Sequence, residues 1–473
     1  MNINKKIFNT TSFIAVATAL VLGSCSKSFV NKAPANDLSP TAALNSASVL
    51  QSALNGVYAE IRNVSQYGRD WPVIGDLMAD NTFVDANNSG RYITQFAYQV
   101  PVTDQIPQDM WAESYTGILR CNEIIDATVT GAADIKAQAY ALRALIYWKL
   151  VTNYANPYTT DTTAMGVPLV LHYNPTALPG RNTVGTVYSQ IVSDLRTAVK
   201  TAPAYDNSAF LSKYAVEGIL SRVFLYEGQY DSALARATDV INKGPFSLVD
   251  MNGFNAFWAN PAVKTDAVEV MFEVDCDPVN NNGFDDLGGI YIHGYNDIYC
   301  SSQLANLYSP SDIRGTLLLQ GTIHNGRANA YYVNKYPNAG STDRDNIKVI
   351  RLSEVYLIAA EAAARKGQTT AAQGYLNTLM AVRDPSITYA DAGATLINDI
   401  VLERRKELAF EGDRLYDMNR LGLPINRGAN AGSAAQGDGL SIPYPSTQRI
   451  SPIPLQEILR NPSMANQQNP GYH

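Results

Sequence analysis

The apolar and polar positions of Ile350–Gly367 (IRLSEVYLIAAEAAARKG) repeat with a helical period. Leu352, Val355, Tyr356, Ala359, Ala362 and Ala363 fall near the i, i+3, i+4, i+7 spacing of one helix face. Glu361 and Arg365 sit four apart in the favourable order, and the pattern puts them on the outward side. Gly367 supplies a left-handed stop, Gln368–Thr370 turn the chain, and Ala371–Val382 reads as a second helix. The same plan occurs upstream, with Ala215–Glu227, a glycine turn at Gly228, and a second helix over Ser232–Asn242. Aligning Gly228 with Gly367 aligns Ala233 with Ala372, the small residue where the two helices of each hairpin cross. Hairpins of this tetratricopeptide type cannot bury their apolar faces alone, so they require neighbours.

Further helices are predicted over Thr41–Asn63, Trp71–Ala79, Asp109–Thr128, Ala132–Thr152, Val184–Lys200, Lys213–Glu227 and Ala394–Glu411. From Pro245 to about Asn346 the pattern changes. Glycine, asparagine and aromatics dominate there, with short β-type runs at Val268–Val274, Gly289–His293 and Tyr331–Lys335. A loop region this long inside a helical body is a functional region or a small inserted lobe. Gly422–Ala465 reads as an irregular tail with many prolines. The expected fold is therefore mostly α: tetratricopeptide-like hairpins forming a right-handed helical scaffold, with a loop-rich lobe carrying a few short strands. The helical body covers about 41–243 and 348–412, and the lobe about 245–346.

Charge and composition narrow the function. Only 17% of the 473 residues are charged, tyrosines number 28, and the net charge is −7. With no basic stripe to neutralise phosphates, nucleic acid is not an expected partner. Met1–Ser24 has the form of a signal peptide: Lys5 and Lys6, then the apolar run Phe13–Leu22, too short to span a bilayer. It ends in Leu22-Gly23-Ser24-Cys25, similar to a bacterial lipoprotein box, which makes Cys25 the expected lipidation site and first mature residue. Residues 25–473 would then form a single tethered domain, since several acyl chains anchor stably where one does not. Of the remaining cysteines, Cys121 reads as a small buried residue, while Cys276 and Cys300 flank a loop and could pair.

No catalytic constellation is evident. His172, His293, His324 and His473 are scattered, and no phosphate loop or nucleophile elbow occurs. Asp275, Asp277, Asn280–Asn282, Asp285 and Asp286 make an oxygen-rich run that does not fit the EF-hand pattern. No cofactor or metal is expected, with calcium at this run the one alternative. Arg351, Glu354, Glu403, Arg404, Glu407, Glu411 and Arg414 are spaced to pair along helix faces, and we expect them to brace helices as partly buried ion pairs. Two loop regions carry the mixture that holds sugars, flat aromatic faces beside Asn, Asp and Arg. One is Tyr67, Trp71, Asn87, Asn88, Arg91 and Tyr92. The other is Tyr291, His293, Tyr295, Asn296, Asp297 and Tyr299.

Several short motifs in order resemble the SusD/RagB family of outer-membrane nutrient-binding lipoproteins. They are Phe29-Val30-Asn31 with Pro34 after Cys25, Leu54-Asn55-Gly56-Val57-Tyr58, and Ala139–Tyr147 with Arg143. Lys335-Tyr336, Ile350–Ile358, Glu403–Gly412 with Arg414, Asp417 and Arg420, and Ile453-Pro454 with Glu457 and Asn461-Pro462 continue the match. One departure is Ser26-Lys27-Ser28, where such lipoproteins often carry acidic residues as an export signal. The resemblance implies a non-catalytic, cell-surface, outer-membrane lipoprotein. It would capture an oligosaccharide among the loops and pass it to a SusC-like TonB-dependent β-barrel transporter. Capture of peptides or another polymer on a RagB-like scaffold is the first alternative, and a tethered glycoside hydrolase the second.

Overall fold

The computed structural model describes residues 44–321 and 330–472. The expected signal peptide, Cys25, His324 and His473 lie outside the described residues. From Ser46 onward the chain forms one body.

Helices α1 (Ala47–Ile61), α3 (Gln105–Asp126), α4 (Ala133–Tyr154), α5 (Val184–Thr201), α6 (Lys213–Tyr226), α7 (Tyr230–Lys243), α8 (Leu352–Arg365), α9 (Thr369–Met380) and α10 (Gly393–Glu407) make the body, with the short α2 (Asp70–Leu77) and α11 (Arg414–Arg420). They pack in succession: α1 on α3, α3 on α4, α4 on α5, α5 on α6, and then the hairpin α6–α7 against the hairpin α8–α9. Local chemistry sets their ends. Ser46, Asp104, Thr183 and Ser212 each cap an N-terminus by accepting a backbone N–H. Gly228 and Gly367 end α6 and α8 at φ 73° and 72°, a conformation that costs glycine nothing. Ala233 and Ala372 are both fully buried, so each hairpin closes on a residue small enough to let the backbones approach.

The strands are short. Antiparallel β2 (Val270–Val274) and β6 (Ile347–Arg351) are buried along their whole length. A four-stranded sheet runs in the order β1 (Thr82–Val84), β3 (Ile298–Cys300), β5 (Tyr331–Val333), β4 (Leu318–Gln320). β7 (Ile425–Asn426) and β8 (Ser441–Ile442) pair within the tail. The β1–β3 pairing, Phe83 opposite Tyr299, carries the early loop to the distant lobe.

Three expectations are corrected. Ile350 and Arg351 belong to β6 and not to the helix after it, because the β-branched run Ile347, Val349, Ile350 finds a buried partner in β2. Gly289–His293 is not a strand. Asp286 accepts the Gly289 N–H at 2.6 Å and caps a short helix, Leu287–Tyr291. Glu361 does not face outward: it is fully buried and takes Arg420 at 2.7 Å as well as Arg365 at 2.9 Å. Cys121, Cys276 and Cys300 are buried free thiols. Cys276 follows β2 while Cys300 closes β3 in a different sheet.

Candidate functional site

The charged motifs come first, because they would be the catalytic residues of an enzyme. Arg351 at the end of β6 meets Glu269 and Glu407, both at 2.9 Å, and Glu411 at 2.6 Å. Arg383 bridges the same Glu269 and Glu407 at 3.1 and 3.0 Å. Arg314 reaches Glu403 at 2.6 Å. A second chain links Arg222 to Glu354, Glu354 to Arg404 (3.0 Å), Arg404 to Asp417 (2.7 Å) and Asp417 to Arg420 (2.7 Å). Arg414 takes Asp80 at 2.8 Å. Burial works against every charge here, but the surrounding arginines hold Glu354, Glu407, Glu411 and Asp417 below the usual carboxylate range. These groups face one another between helices, where a ligand has no access.

The two aromatic loops differ from this seam. Residues 87–92 follow β1 and residues 291–297 precede β3, so the strand pairing brings them together. The Asp85 N–H donates to the Asp297 carbonyl at 2.8 Å, and the Ser89 N–H to the Asp297 carboxylate at 2.8 Å. Asn88 Nδ2 donates to the Asp85 carbonyl, and its Oδ1 accepts the Gly90 N–H, both at 2.6 Å, fixing the loop tip. The Arg91 guanidinium lies 3.6 Å from the Tyr295 ring centre and 3.5 Å from Asp285. Tyr92 and Asn296 sit at φ 60° and 52°, unusual for residues with a Cβ. Both flank this contact.

Most of the sequence-selected aromatics are not on this surface. Tyr67 packs edge-on to Trp71 at 5.0 Å, and both are buried. The buried Tyr92 donates its hydroxyl to Asp70. Tyr291 stacks on Tyr336 at 6.3 Å and Tyr299 packs on Tyr332 at 4.9 Å. Asn296 and Asp297 are buried too. These side chains hold the loops onto the body. Asn87 is exposed, and Asn88, Arg91 and Tyr295 are half-buried, so these four remain available to a ligand, while His293 is half-buried as well.

The sequence reading missed Phe284. It is 53% exposed, and Arg344 lies over its ring at 5.0 Å. A Cβ on Gly294 would come within 3.3 Å of the Phe284 ring, so the glycine lets Phe284 pack against the backbone just before Tyr295. Its neighbour Asp285 binds Arg69 at 2.8 Å as well as Arg91. Burial disfavours the Arg69 charge, yet Tyr92, Asp70 and Asp285 hold it above its ordinary value. The result is two aromatic faces separated by an Arg–carboxylate pair and edged by amides. Such a surface can stack on C–H faces and bond hydroxyls. The oxygen-rich run has its carboxylates Asp277, Asp285 and Asp286 engaged within the protein. Asp277 accepts from Asn280, Asp285 is taken by arginines and Asp286 caps a helix. Among the described residues no group of three or more His, Cys, Asp or Glu side chains is placed to hold a metal ion.

Two family models match the chain, "SusD family" over residues 315–472 and "Starch-binding associating with outer membrane" over residues 28–225. The chain belongs to the SusD-like family. SusD-like protein P2 of Formosa agariphila is 25% identical over 97% of this chain and 98% of its own length. A SusD superfamily protein of Bacteroides thetaiotaomicron VPI-5482 superposes with a TM-score of 0.83 at 29% identity, covering 90% of this chain and 100% of that one. A laminarin-binding SusD-like protein superposes with a TM-score of 0.73 at 22% identity over 90% of this chain and 100% of that one, a likeness of fold. The mostly α body with few short strands is thus a SusD-like fold. Among its described residues no helix is long and apolar enough to cross a membrane.

Proposed function

We propose that this SusD-like chain is a lipid-anchored, non-catalytic glycan-capture protein of the outer-membrane surface. It would be tethered through Cys25 and pass oligosaccharide to a SusC-like TonB-dependent barrel. The observation that carries the reading is the Tyr295–Arg91–Phe284 surface with Asn87 and Asn88 beside it. It is set on a buried strand pair, so its geometry is formed before a ligand arrives. The family description "Starch-binding associating with outer membrane" and the laminarin-binding relative support a neutral polysaccharide as the ligand class.

No cofactor is needed for this role. The charged motifs support a non-catalytic reading, because each carboxylate of the seam is already engaged by arginine or lysine. Capture of peptides on the same surface is favoured by no observation, since its cations Arg69 and Arg91 already share Asp285.

The test is a glycan screen on full-length protein in detergent, with product analysis by mass spectrometry. Binding without turnover, weakened by Tyr295→Ala, is the expected result. Turnover by pure protein, abolished by one carboxylate change, would replace capture with hydrolysis.

A further inference from the structure

A cleft of about 290 Å³ opens between α1, the first turns of α4 and the loop 203–212. That is just under the roughly 300–1,000 Å³ of ligand clefts, room for one small ring and not for a long chain. Pro203, Asp206 and Phe210 of the loop line it, with Gln51 from α1 and Asp134 and Gln138 from α4. Asp134 and Gln138 stand four apart, so they share one face of the helix. The loop is fixed before a ligand arrives. The Glu273 N–H of β2 donates to the Ser208 carbonyl, and the Ser208 N–H to the Lys264 carbonyl, both at 2.8 Å. Ser208 itself is fully buried.

One group in this cleft is set for a ligand. Gln138 is only 5% exposed, and a relay dictates which way its amide faces. The Leu211 N–H donates to the Tyr58 hydroxyl at 2.9 Å, and that hydroxyl donates to Gln138 Oε1 at 2.7 Å. The amide nitrogen is the end left over. It donates to no protein group, and it is not sealed away from solvent but keeps an opening at the cleft. On the adjoining wall, Phe210 meets Tyr58 at a right angle, with ring centres 5.2 Å apart, and is still 39% exposed.

The chemistry of this set selects the ligand. The Gln138 donor needs an acceptor, which an ammonium or guanidinium lacks. An anion would meet the carboxylates of Asp134 and Asp206, and among the described residues no Lys, Arg or His lines the cleft. A wholly apolar ligand would cut the Gln138 nitrogen off from water without replacing it. A hydroxyl accepts from Gln138 and donates to a carboxylate at once, and a ring with C–H faces lies flat on Phe210. We infer that this cleft is a second sugar site, holding one uncharged hexose-type ring. Gln138 donates to a ring hydroxyl, Asp134 and Asp206 accept, and Phe210 is the stacking face. The choice of a sugar among neutral hydroxylated rings rests on the glycan-capture reading.

Hydrogen–deuterium exchange on full-length protein in detergent reads the two surfaces separately, through peptides covering 203–212 and 287–299. The probes are glucose, maltose and laminaribiose, with glycerol at equal concentration as the control. All three sugars should protect 203–212 saturably, and glycerol should not. Gln138→Glu keeps an acceptor for Tyr58 and removes the donor. It and Phe210→Ala on the exposed wall should each raise the concentration needed about tenfold, while Tyr295→Ala leaves it unchanged. Protection of 287–299 without protection of 203–212, or equal protection by glycerol, would overturn the second site alone. Protection of 203–212 that both cleft variants retain in full would do the same. Protection of 203–212 alone, lost in either cleft variant, would keep this site and remove the Tyr295 surface. Protection of neither segment would overturn both.

Discussion

The helix seam and the aromatic surface use the same residue types to opposite ends. In the seam, Arg351, Arg383 and Arg404 are almost wholly buried, and each is held by two or more carboxylates. On the surface, Arg91 is a third exposed and lies over an aromatic ring. A buried guanidinium between carboxylates is committed to structure, since removing one partner strands the others. An exposed guanidinium over a ring leaves donors and a flat face available. Signature strength in a sequence therefore does not locate the ligand. The most recognisable motifs of this chain hold helices together, and the groups proposed to meet a ligand come from unremarkable loop positions.

The largest expected effect breaks the seam. Glu407→Ala removes a carboxylate shared by Arg351, Arg383 and Arg314, so unfolding in urea should show a loss of about 3–5 kcal/mol. A loss below about 1 kcal/mol, the scale of surface pairs, would show that the seam is not the brace described.

Next is Tyr295→Ala. Losing one stacking face should cost about 1 kcal/mol in glycan binding, roughly fivefold in Kd, with the urea midpoint unchanged. Phe284→Ala should give a similar or smaller loss. Trp71→Ala, although an aromatic in the same stretch of sequence, should act in the opposite way. The residue is buried, so stability should fall by about 3–5 kcal/mol, and any binding loss should follow unfolding.

The smallest effect is in pH, and it separates the two classes of carboxyl. Burial raises Asp76 and Asp345 to about 6, against partly offsetting hydrogen bonds. Protonation favours their folded form, so their contribution is present at low pH and is lost as pH rises from about 4 through about 6. Glu354, Glu407 and Glu411 are held below 4.5. Their contribution is present above 4.5 and is lost as pH falls through their folded values. The urea midpoint should therefore peak near pH 4.5 and fall on both sides. A midpoint rising steadily from pH 5 to 8 would contradict the assignment.

How much the sequence disclosed follows from these contrasts. Helical period and the glycine stops at Gly228 and Gly367 are local signals, and both hairpins were legible from them. The helix over Leu287–Tyr291 was not, because its start depends on a single Asp286 cap ahead of two glycines. Of the aromatics, Tyr295 was legible as a candidate contact, while Tyr67, Trp71, Tyr92, Tyr291 and Tyr299 were indistinguishable from it until packing showed which faced inward. Phe284 escaped notice among Asn, Gly and Asp residues. Only its approach to Gly294 and to Arg344, which are distant from one another in sequence, marks it as part of this loop cluster.

The most direct test of the central claim is a crystal structure of the protein with a bound laminarin or starch oligosaccharide. Glycan density across the Tyr295 and Phe284 rings, with hydroxyls in reach of Arg91, Asn87 or Asn88, is the predicted result. Well-ordered glycan on any other part of the molecule, with this surface empty, would contradict it.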